Sequence, residues 1–581
     1  MWSGFRTVLA AATACAASGC VIGPATNPPW LTAAMFEEIS NAEEYSDFLA
    51  ARYAGMAGEP AEAANFYRRA FDRQPNDPSI LERAELATLI AGDAEEAVML
   101  ATGADPQVSA QSPTAQLALV VGEIATNKHR RALARLKTTS MGAINLDAAN
   151  FLTAWLIGLD DPDAGLAFLA QLPPRRLLAG EQLSMQGLIQ LQAGRDDEAL
   201  AAFEQAARLP LASPGYLLSL RARVLASKGD YAGARKLIEM QVEDTGATAE
   251  TDYVLALITS GQPVERPKLS IRQGAAVAVY LASAGGVARS SSEIAAMRQS
   301  IAVYLDPGFA PARMMLADAF SEQDRTEDAI AALHGVPANS PWGADARIEE
   351  AWLLDKVDKP AEALAAADQA MALSRRRDIL VGAADLYRVN RNDKQAAVLY
   401  DEVVAGDMTT GHQDWRVLFA RASARNGLGD WKGAEADLVA ALAIEPDRPE
   451  VQNFLGYGWV NRGEKVKEGM ELIRKAVDAR PDQGYIVDSL GWAHYAIGEY
   501  DQAVETLERA AELAPSDPEI VDHLGDAYWR KGRETEAAFE WRRALQLKPD
   551  PTREAALRTK LDKGLPPVST TNLANAQQGR P

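Results

Sequence analysis

Apolar and small residues return at a fixed interval between residues 449 and 550. Three successive stretches of sequence can be aligned there, and each contains a Leu-Gly pair, a later glycine and a closing proline. The closing prolines, which lie 34 residues apart, are Pro481, Pro515 and Pro549. Inside each stretch the apolar residues recur every three to four positions, which predicts two amphipathic helices per stretch.

Small residues mark the predicted contacts between the two helices of a stretch. Gly491 on the first helix and Ala503 on the second are expected where the helix axes come closest, and Gly498 lets the chain reverse. Asp517 is a predicted N-cap, with Pro518 at the first position of the next helix. One helix pair cannot bury its apolar face alone, so the pattern predicts stacked pairs with a shared core.

This period and its small residues resemble the tetratricopeptide (TPR) repeat. The resemblance implies an all-α fold, a right-handed superhelical solenoid of antiparallel helix pairs, with degenerate repeats in the N-terminal half. The predicted segments are a signal peptide (1–19), a lipidated cysteine with a proline-rich tether (20–30), an N-terminal TPR-like array (31–260), a break or hinge (261–270), a C-terminal TPR array (271–551), a capping helix (552–562) and a disordered tail (563–581).

The first twenty residues indicate an export signal. A short apolar run, Thr7–Ala17, follows Arg6 and ends before Ser18-Gly19-Cys20. Small residues before a cysteine resemble the lipobox of bacterial lipoproteins. The resemblance implies lipidation of Cys20 and attachment to the outer membrane, on its periplasmic face. Ordinary signal cleavage and an uncleaved anchor are the alternatives.

Charge and composition narrow the possible partners. The chain has 581 residues and a formal net charge of −21, which disfavours nucleic acid and electrostatic adsorption to anionic lipid. We therefore expect protein or peptide partners, with the membrane contacted through the lipid anchor only. The acidic surface is interpreted as a solvated face, and steering of a basic partner is the alternative.

The sequence contains no pattern typical of a catalytic site. Phosphate-binding glycine loops, nucleophile elbows and metal-ligand spacings of histidine are absent from it. We therefore predict a protein without catalytic residues, metal or cofactor. An enzyme with a site within 110–180 or 260–300 is a further hypothesis. His523, which lies between Asp522 and Asp526, is expected in a surface ion pair rather than a catalytic dyad.

The TPR resemblance also implies a binding groove. In TPR arrays the first helix of each repeat lines the inner face, where aromatic and amide side chains can hold an extended peptide. An alternative is that Trp492 and Trp529 only pack between neighbouring repeats. The groove is acidic, which disfavours a C-terminal carboxylate as its ligand. The matching positions are Asn453, Tyr457, Asn461, Tyr485, Asp488, Trp492, Tyr495, Glu519, Asp522, Asp526, Trp529 and Arg530.

Four sequence motifs are more specific than a generic TPR pattern: LGYGW, GYIVDSLGWAHY, ELAPSDPEIVDHLGDAYWRKG and FEWRRAL. They resemble the C-terminal signature of large bacterial TPR lipoproteins. One such family is the outer-membrane lipoprotein adaptor of a periplasmic carboxy-terminal processing protease. The resemblance implies a non-catalytic scaffold that binds and activates the protease and presents cell-wall hydrolases to it. The alternative function is a scaffold of an envelope assembly or polysaccharide-export machine.

Overall fold

The computed structural model describes residues 46–173, 178–211, 214–283 and 291–567. All regular secondary structure in these ranges is helical, so the predicted all-α class is confirmed. The predicted signal peptide, Cys20 and the tether lie outside the described residues, as do residues 568–581 of the predicted tail.

The chain divides into two compact units, Met1–Trp342 and Gly343–Pro581. The described helices of unit 1 are α1 (46–56), α2 (Pro60–Arg73), α3 (Pro78–Ala91), α4 (Ala94–Gly103), α5 (Pro106–Ser109), α6 (Pro113–Ala125), α7 (His129–Thr138), α8 (Gly142–Asp160), α9 (Pro162–Gln171), α10 (Ala179–Gln192), α11 (Asp196–Ala207), α12 (Pro214–Ser227), α13 (Tyr231–Thr245), α14 (Ala249–Thr259), α15 (Ile271–Ala282), α16 (Ser292–Leu305), α17 (Ala310–Ser321) and α18 (Thr326–His334).

Unit 2 continues the same alternation of helices and short turns. Its described helices are α19 (Gly343–Lys356), α20 (Pro360–Leu373), α21 (Arg377–Val389), α22 (Asp393–Thr410), α23 (Trp415–Gly427), α24 (Trp431–Ile444), α25 (Pro449–Arg462), α26 (Val466–Ala479), α27 (Gly484–Ala496), α28 (Tyr500–Leu513), α29 (Pro518–Arg530), α30 (Glu534–Gln546) and α31 (Pro551–Lys563). None of the helices described in either unit is long and apolar enough to cross a membrane.

The hairpin of α27 and α28 follows from its small residues. Gly498 has a φ of 83° in the turn, a left-handed conformation that favours glycine. A Cβ at Gly491 would lie 2.6 Å from Leu507 Cγ, so glycine allows this close approach, with Leu507 rather than Ala503 as the nearest neighbour. Asp517 caps α29 by accepting hydrogen bonds from two backbone N–H groups of its first turn. The predicted turn, close contact and N-cap are confirmed.

In unit 1, helices that are distant in the sequence share one core. The Trp155 indole of α8 donates to the backbone oxygen of Ile271 at 3.1 Å, and a Cβ at Gly274 would lie 1.9 Å from the same ring. Helix α16 returns to α3, where Ser300 Oγ donates to the Leu89 carbonyl at 3.2 Å. Unit 1 therefore differs from an array in which each helix pair contacts only its sequence neighbours.

Residues 260–270 connect α14 to α15 without a helix. Arg266 Nε donates to Asp196 at 2.8 Å, and the same guanidinium donates to the Leu191 carbonyl. The connection is thus bound to α10 and α11. Helix α15 returns to α8, and the division into compact units falls at Trp342. The interpretation of 261–270 as a break or hinge stays a prediction.

In unit 2, consecutive helix hairpins pack side by side, and α31 follows the last of them. This helix spans the predicted capping segment and buries Leu557. The chain beyond it lies against α29, where Arg530 Nη1 donates to the Pro566 carbonyl at 2.8 Å. The described beginning of the predicted tail, residues 564–567, is therefore packed on the array.

A candidate partner-binding surface

The predicted groove residues lie on α25, α27 and α29, the first helices of the last three hairpins. Four of them, Asn453, Asp488, Asp522 and Asp526, are each at most 8% exposed. A partner at the surface would not reach these side chains directly. Their role in binding stays a prediction, whereas their contacts within the array are defined.

A buried histidine joins α27 to α29. His523 is 6% exposed, and its Nδ1 lies 3.0 Å from both carboxylate oxygens of Asp488. Burial lowers the pKa of His523, but the charge and hydrogen bond of Asp488, with the charges of Glu519 and Asp522, outweigh burial and raise this pKa above its ordinary value. The expectation of a surface ion pair at His523 is wrong, because the ring lies between two repeats.

Two cations of α31 neutralise the carboxylates of α29. Lys560 Nζ lies 2.6 Å from an oxygen of Asp522 and 2.8 Å from one of Asp526, and Arg553 lies 3.4 Å from Asp522. The Trp541 indole donates to Asp526 Oδ1 at 2.9 Å. Burial raises the pKa of Asp526, and the nearby Lys560 charge opposes this only in part. Helix α31 thus completes the polar contacts of α29.

Sequence reasoning missed Arg553 and Lys560 as partners of the predicted groove. Both belong to the segment that was interpreted only as a cap. Their separation of seven residues is close to two helical turns and places them on one helix face. A pair of cations on one face of a terminal helix was the available signal that it would dock on buried carboxylates.

Five further predicted residues lie toward the ends of α25, α27 and α29. We call Asn461, Trp492, Tyr495, Trp529 and Arg530 the aromatic row; Asn461 is exposed and the other four are half-buried. The rings of Trp492 and Tyr495 stack with centres 4.6 Å apart, and Trp492 Nε1 lies 3.4 Å from Asn461 Oδ1. Arg530 Nε donates to the Tyr495 hydroxyl at 3.1 Å.

Both tryptophans of the row also make contacts within the array. Trp492 packs between neighbouring repeats, as the alternative proposes, whereas Trp529 packs against the second helix of its own repeat. The ring centre of Trp492 lies 4.0 Å from that of His523, and Trp529 lies 5.5 Å from Trp541. Both indoles nevertheless stay half-buried rather than buried. The contacts with His523 and Trp541 therefore hold the two indoles in place while part of each stays exposed. Because the rings are already ordered, binding a partner costs less side-chain entropy.

Glu519 and two tyrosines complete the set of predicted positions. Glu519 on α29 pairs with Arg553 of α31 at 3.0 Å. Tyr485 is 47% exposed at the start of α27. Tyr457 is half-buried on α25, where burial and the charges of Glu519 and Asp488 raise the pKa of its phenol to about 12. The Tyr457 hydroxyl is therefore a neutral hydrogen-bond donor at neutral pH.

Among the residues that the structure describes, there is no group of three or more His, Cys, Asp or Glu side chains that could hold a metal ion. The carboxylates of the candidate surface are instead paired with protein cations or with His523.

Comparison with known proteins gives the repeats a family. The tetratricopeptide repeat family model matches residues 184–244 and 489–553. These two segments are tetratricopeptide repeats. The first runs from α10 to α13, and the second runs from α27 to the start of α31. The TPR fold inferred from the sequence is thus confirmed, with repeats in both units.

The chain is similar to a TPR repeat-containing protein of Pseudomonas aeruginosa, with 35% identity over 91 residues. The aligned part is 16% of this chain and 15% of the length of that relative. A TPR protein from Parabacteroides merdae has a TM-score of 0.38 at 15% identity, over 44% of this chain and 97% of that one. A chain of the APC/C hetero-tetramer Cut9–Hcn1 has a TM-score of 0.36 at 14% identity, over 91% and 98% of the two chains.

Proposed function

We propose that this TPR protein is a non-catalytic scaffold that binds an extended segment of a protein partner on the aromatic row. The observation that carries this proposal is the line of contacts from Asn461 through Trp492 and Tyr495 to Arg530. Aromatic rings and a guanidinium provide contact area and hydrogen-bond donors, and both residue classes are enriched at binding hot spots. Fixed rings of this kind bind a flexible peptide at a lower entropy cost.

We further propose that Cys20 carries lipid and attaches the chain to the periplasmic face of the outer membrane. The partner would then be a periplasmic carboxy-terminal processing protease, or the cell-wall hydrolases that it cleaves. The lipobox-like sequence before Cys20 and the resemblance of the last repeats to lipoprotein adaptors support this assignment.

Photo-crosslinking in the intact cell envelope tests the binding surface. A photoreactive amino acid replaces Asn461, which is exposed on the aromatic row. The matched control replaces Phe539, which is 62% exposed on α30 and lies outside the row. We expect discrete protein adducts from position 461 and none, or only diffuse ones, from position 539. Equal adducts from both positions would contradict binding at the row.

Mass spectrometry of the adducts distinguishes the partner classes. A processing protease or a wall hydrolase at position 461 supports the adaptor role. Components of an export or assembly machine would favour the alternative scaffold instead. Mass spectrometry of the purified N-terminal peptide tests the anchor separately, because acyl chains on Cys20 change its mass and an unmodified Cys20 would exclude lipidation.

A further inference from the structure

The chain that leaves α31 lies directly on the aromatic row. A Cβ at Gly564 would lie 2.1 Å from the Trp529 ring, which shows how closely the backbone approaches the indole. Leu565 and Trp529 pack against the same hydrophobic cluster, and the Pro566 carbonyl accepts from Arg530 at 2.8 Å. Two of the five residues of the row are therefore already in contact with this chain's own C-terminal segment.

The backbone that follows α31 turns away from the helix. Gly564 has a φ of 69°, a backbone conformation that turns the chain away from the helix axis and favours glycine. The two residues that follow Leu565 are Pro566 and Pro567, and a residue before proline is biased toward an extended backbone. Residues 564–567 are neither helix nor strand, so the segment leaves α31 without a further helical turn.

The contacts of the row continue past this point. Arg530, which holds Pro566, also contacts Tyr495, and Tyr495 stacks on Trp492, whose indole reaches Asn461. The surface that receives Pro566 is thus the end of a line that runs from α29 across α27 to α25. From Arg530, ring and polar groups therefore continue across α27 to Asn461 on α25.

We propose that residues 568–581 continue along the aromatic row and occupy the partner site as an internal peptide. This inference rests on the proposed function of the row. A partner segment would then bind by displacing the chain's own C-terminus, so the affinity of the scaffold would be set by this competition.

Length and composition fit this occupant. Fourteen residues follow Pro567, and at about 3.3 Å per residue they can span about 45 Å. Adjacent helices pack about 10 Å apart, so this length exceeds what α29, α27 and α25 require. Residues 568–581 contain no acidic side chain and are rich in Ser, Thr, Asn and Gln, which can hydrogen-bond to neutral polar groups such as the Asn461 amide.

The first test maps the position of the segment in the full chain. A photoreactive residue replaces Leu573, and the crosslinked site is located by proteolysis and mass spectrometry. We expect intrachain adducts near Asn461, Trp492 or Tyr495. Adducts confined to other elements, or no adduct, would overturn the proposal.

A second test displaces the segment by one substitution with a matched control. Gly564→Ala places a methyl group against Trp529 and strains a positive φ, whereas Gly532→Ala strains a φ of 75° with nothing within 4 Å of the new Cβ. A labelled synthetic peptide of residues 566–581 is then titrated against each full-length variant. We expect at least tenfold tighter binding to G564A than to wild type or G532A, because the tethered segment competes at about millimolar effective concentration. Equal affinities for all three proteins would contradict displacement.

The two proposals fail in different ways. Partner adducts from position 461 together with no intrachain adduct from position 573 would reject the internal peptide and keep the scaffold. Intrachain adducts from position 573 with no foreign partner at position 461 would keep the internal peptide and reject the row as a partner site.

Discussion

At the scale of single residues, Gly491 sets the distance between α27 and α28. We expect Gly491→Ala to lower the free energy of unfolding by about 1–3 kcal/mol, because the new Cβ would lie 2.6 Å from Leu507 Cγ. Urea denaturation followed by circular dichroism measures this change. Gly406→Ala on α22 is the control, since nothing lies within 4 Å of its added Cβ, and it should stabilise by up to about 1 kcal/mol. Destabilisation by both substitutions would contradict the steric explanation.

Glu85 is a second residue whose surroundings determine its effect on stability. Its side chain on α3 is fully buried, and neither carboxylate oxygen has a hydrogen-bond partner among the described residues. Burial, with the nearby charges of Glu82 and Glu96, holds the pKa of Glu85 well above its ordinary value. We expect Glu85→Met, which removes the unpaired polar atoms, to stabilise by about 1–3 kcal/mol at pH 8.

The gain from Glu85→Met should depend on pH. Below about pH 4 the carboxyl of Glu85 is protonated in both the folded and the unfolded chain, so its ionisation contributes nothing. As pH rises, the unfolded chain releases the proton first, which lowers the stability of the wild type relative to the variant. The difference between the urea midpoints of Glu85→Met and the wild type should therefore increase as pH rises from 4 to 8. A constant difference would rule out ionisation as the cause.

At the scale of elements, Lys560 determines how α31 docks. Its side chain is 17% exposed and pairs with Asp522 and Asp526, which are 6% and 7% exposed. We expect Lys560→Met to destabilise unit 2 by about 3–5 kcal/mol, because it leaves the buried carboxylate of Asp526 without a cation. Asp522 would keep Arg553 alone, at 3.4 Å. Arg558→Ala on the same helix is the control. Its pair with Glu554 is 68% and 43% exposed, so the loss should stay below about 0.5 kcal/mol in the same urea assay.

The helical elements were predictable because their signals are local. The spacing of Gly491 and Gly498 and the Asp517 cap depend on neighbours within one hairpin, and each is confirmed. Whether another element covers a residue of the predicted groove does not depend on its neighbours in the sequence. Asp522 was assigned to an open groove from its repeat position, yet Lys560 covers it from a helix 38 residues further on.

The return of α16 to α3 was unpredictable for the same reason. The hydrogen bond from Ser300 to Leu89 joins residues 211 positions apart, and no periodicity in either helix specifies the other. The sequence therefore predicted stacked hairpins in both halves, whereas unit 1 has a core shared by distant helices. The break at 260–270 was visible, but its role as a bound connection depends on Arg266 and its partners on α10 and α11.

At the scale of the whole molecule, Arg325 closes unit 1. Its guanidinium donates to the carbonyls of Ile90 at 2.9 Å and Ala91 at 2.7 Å, at the end of α3. We expect Arg325→Ala to destabilise unit 1 by about 1.5–3 kcal/mol, the range for hydrogen bonds to a charged group. Hydrogen exchange read by mass spectrometry should show faster exchange in both α3 and α16, with α25–α30 unchanged.

A matched substitution distinguishes the loss of the Arg325 hydrogen bonds from the mere loss of a positive charge. Arg130 is 82% exposed and lies 3.8 Å from Asp160, so Arg130→Ala should leave the exchange of α3 and α16 as in wild type. Faster exchange in α3 alone after Arg325→Ala would indicate local fraying of that helix and would contradict a shared core.

The closure of unit 1 also fixes an order of events during synthesis. Arg325 and Ile90 are 235 residues apart. At a synthesis rate of about 5–20 residues per second, Arg325 is therefore made on the order of 10–50 s after the α3 carbonyls to which it donates. Helix α8 waits in the same way for α15. Until Arg325 reaches α3, the chain presents uncovered apolar helices. A chaperone that shields them should therefore be needed before residue 325 is available, either during synthesis or after export, and released afterwards.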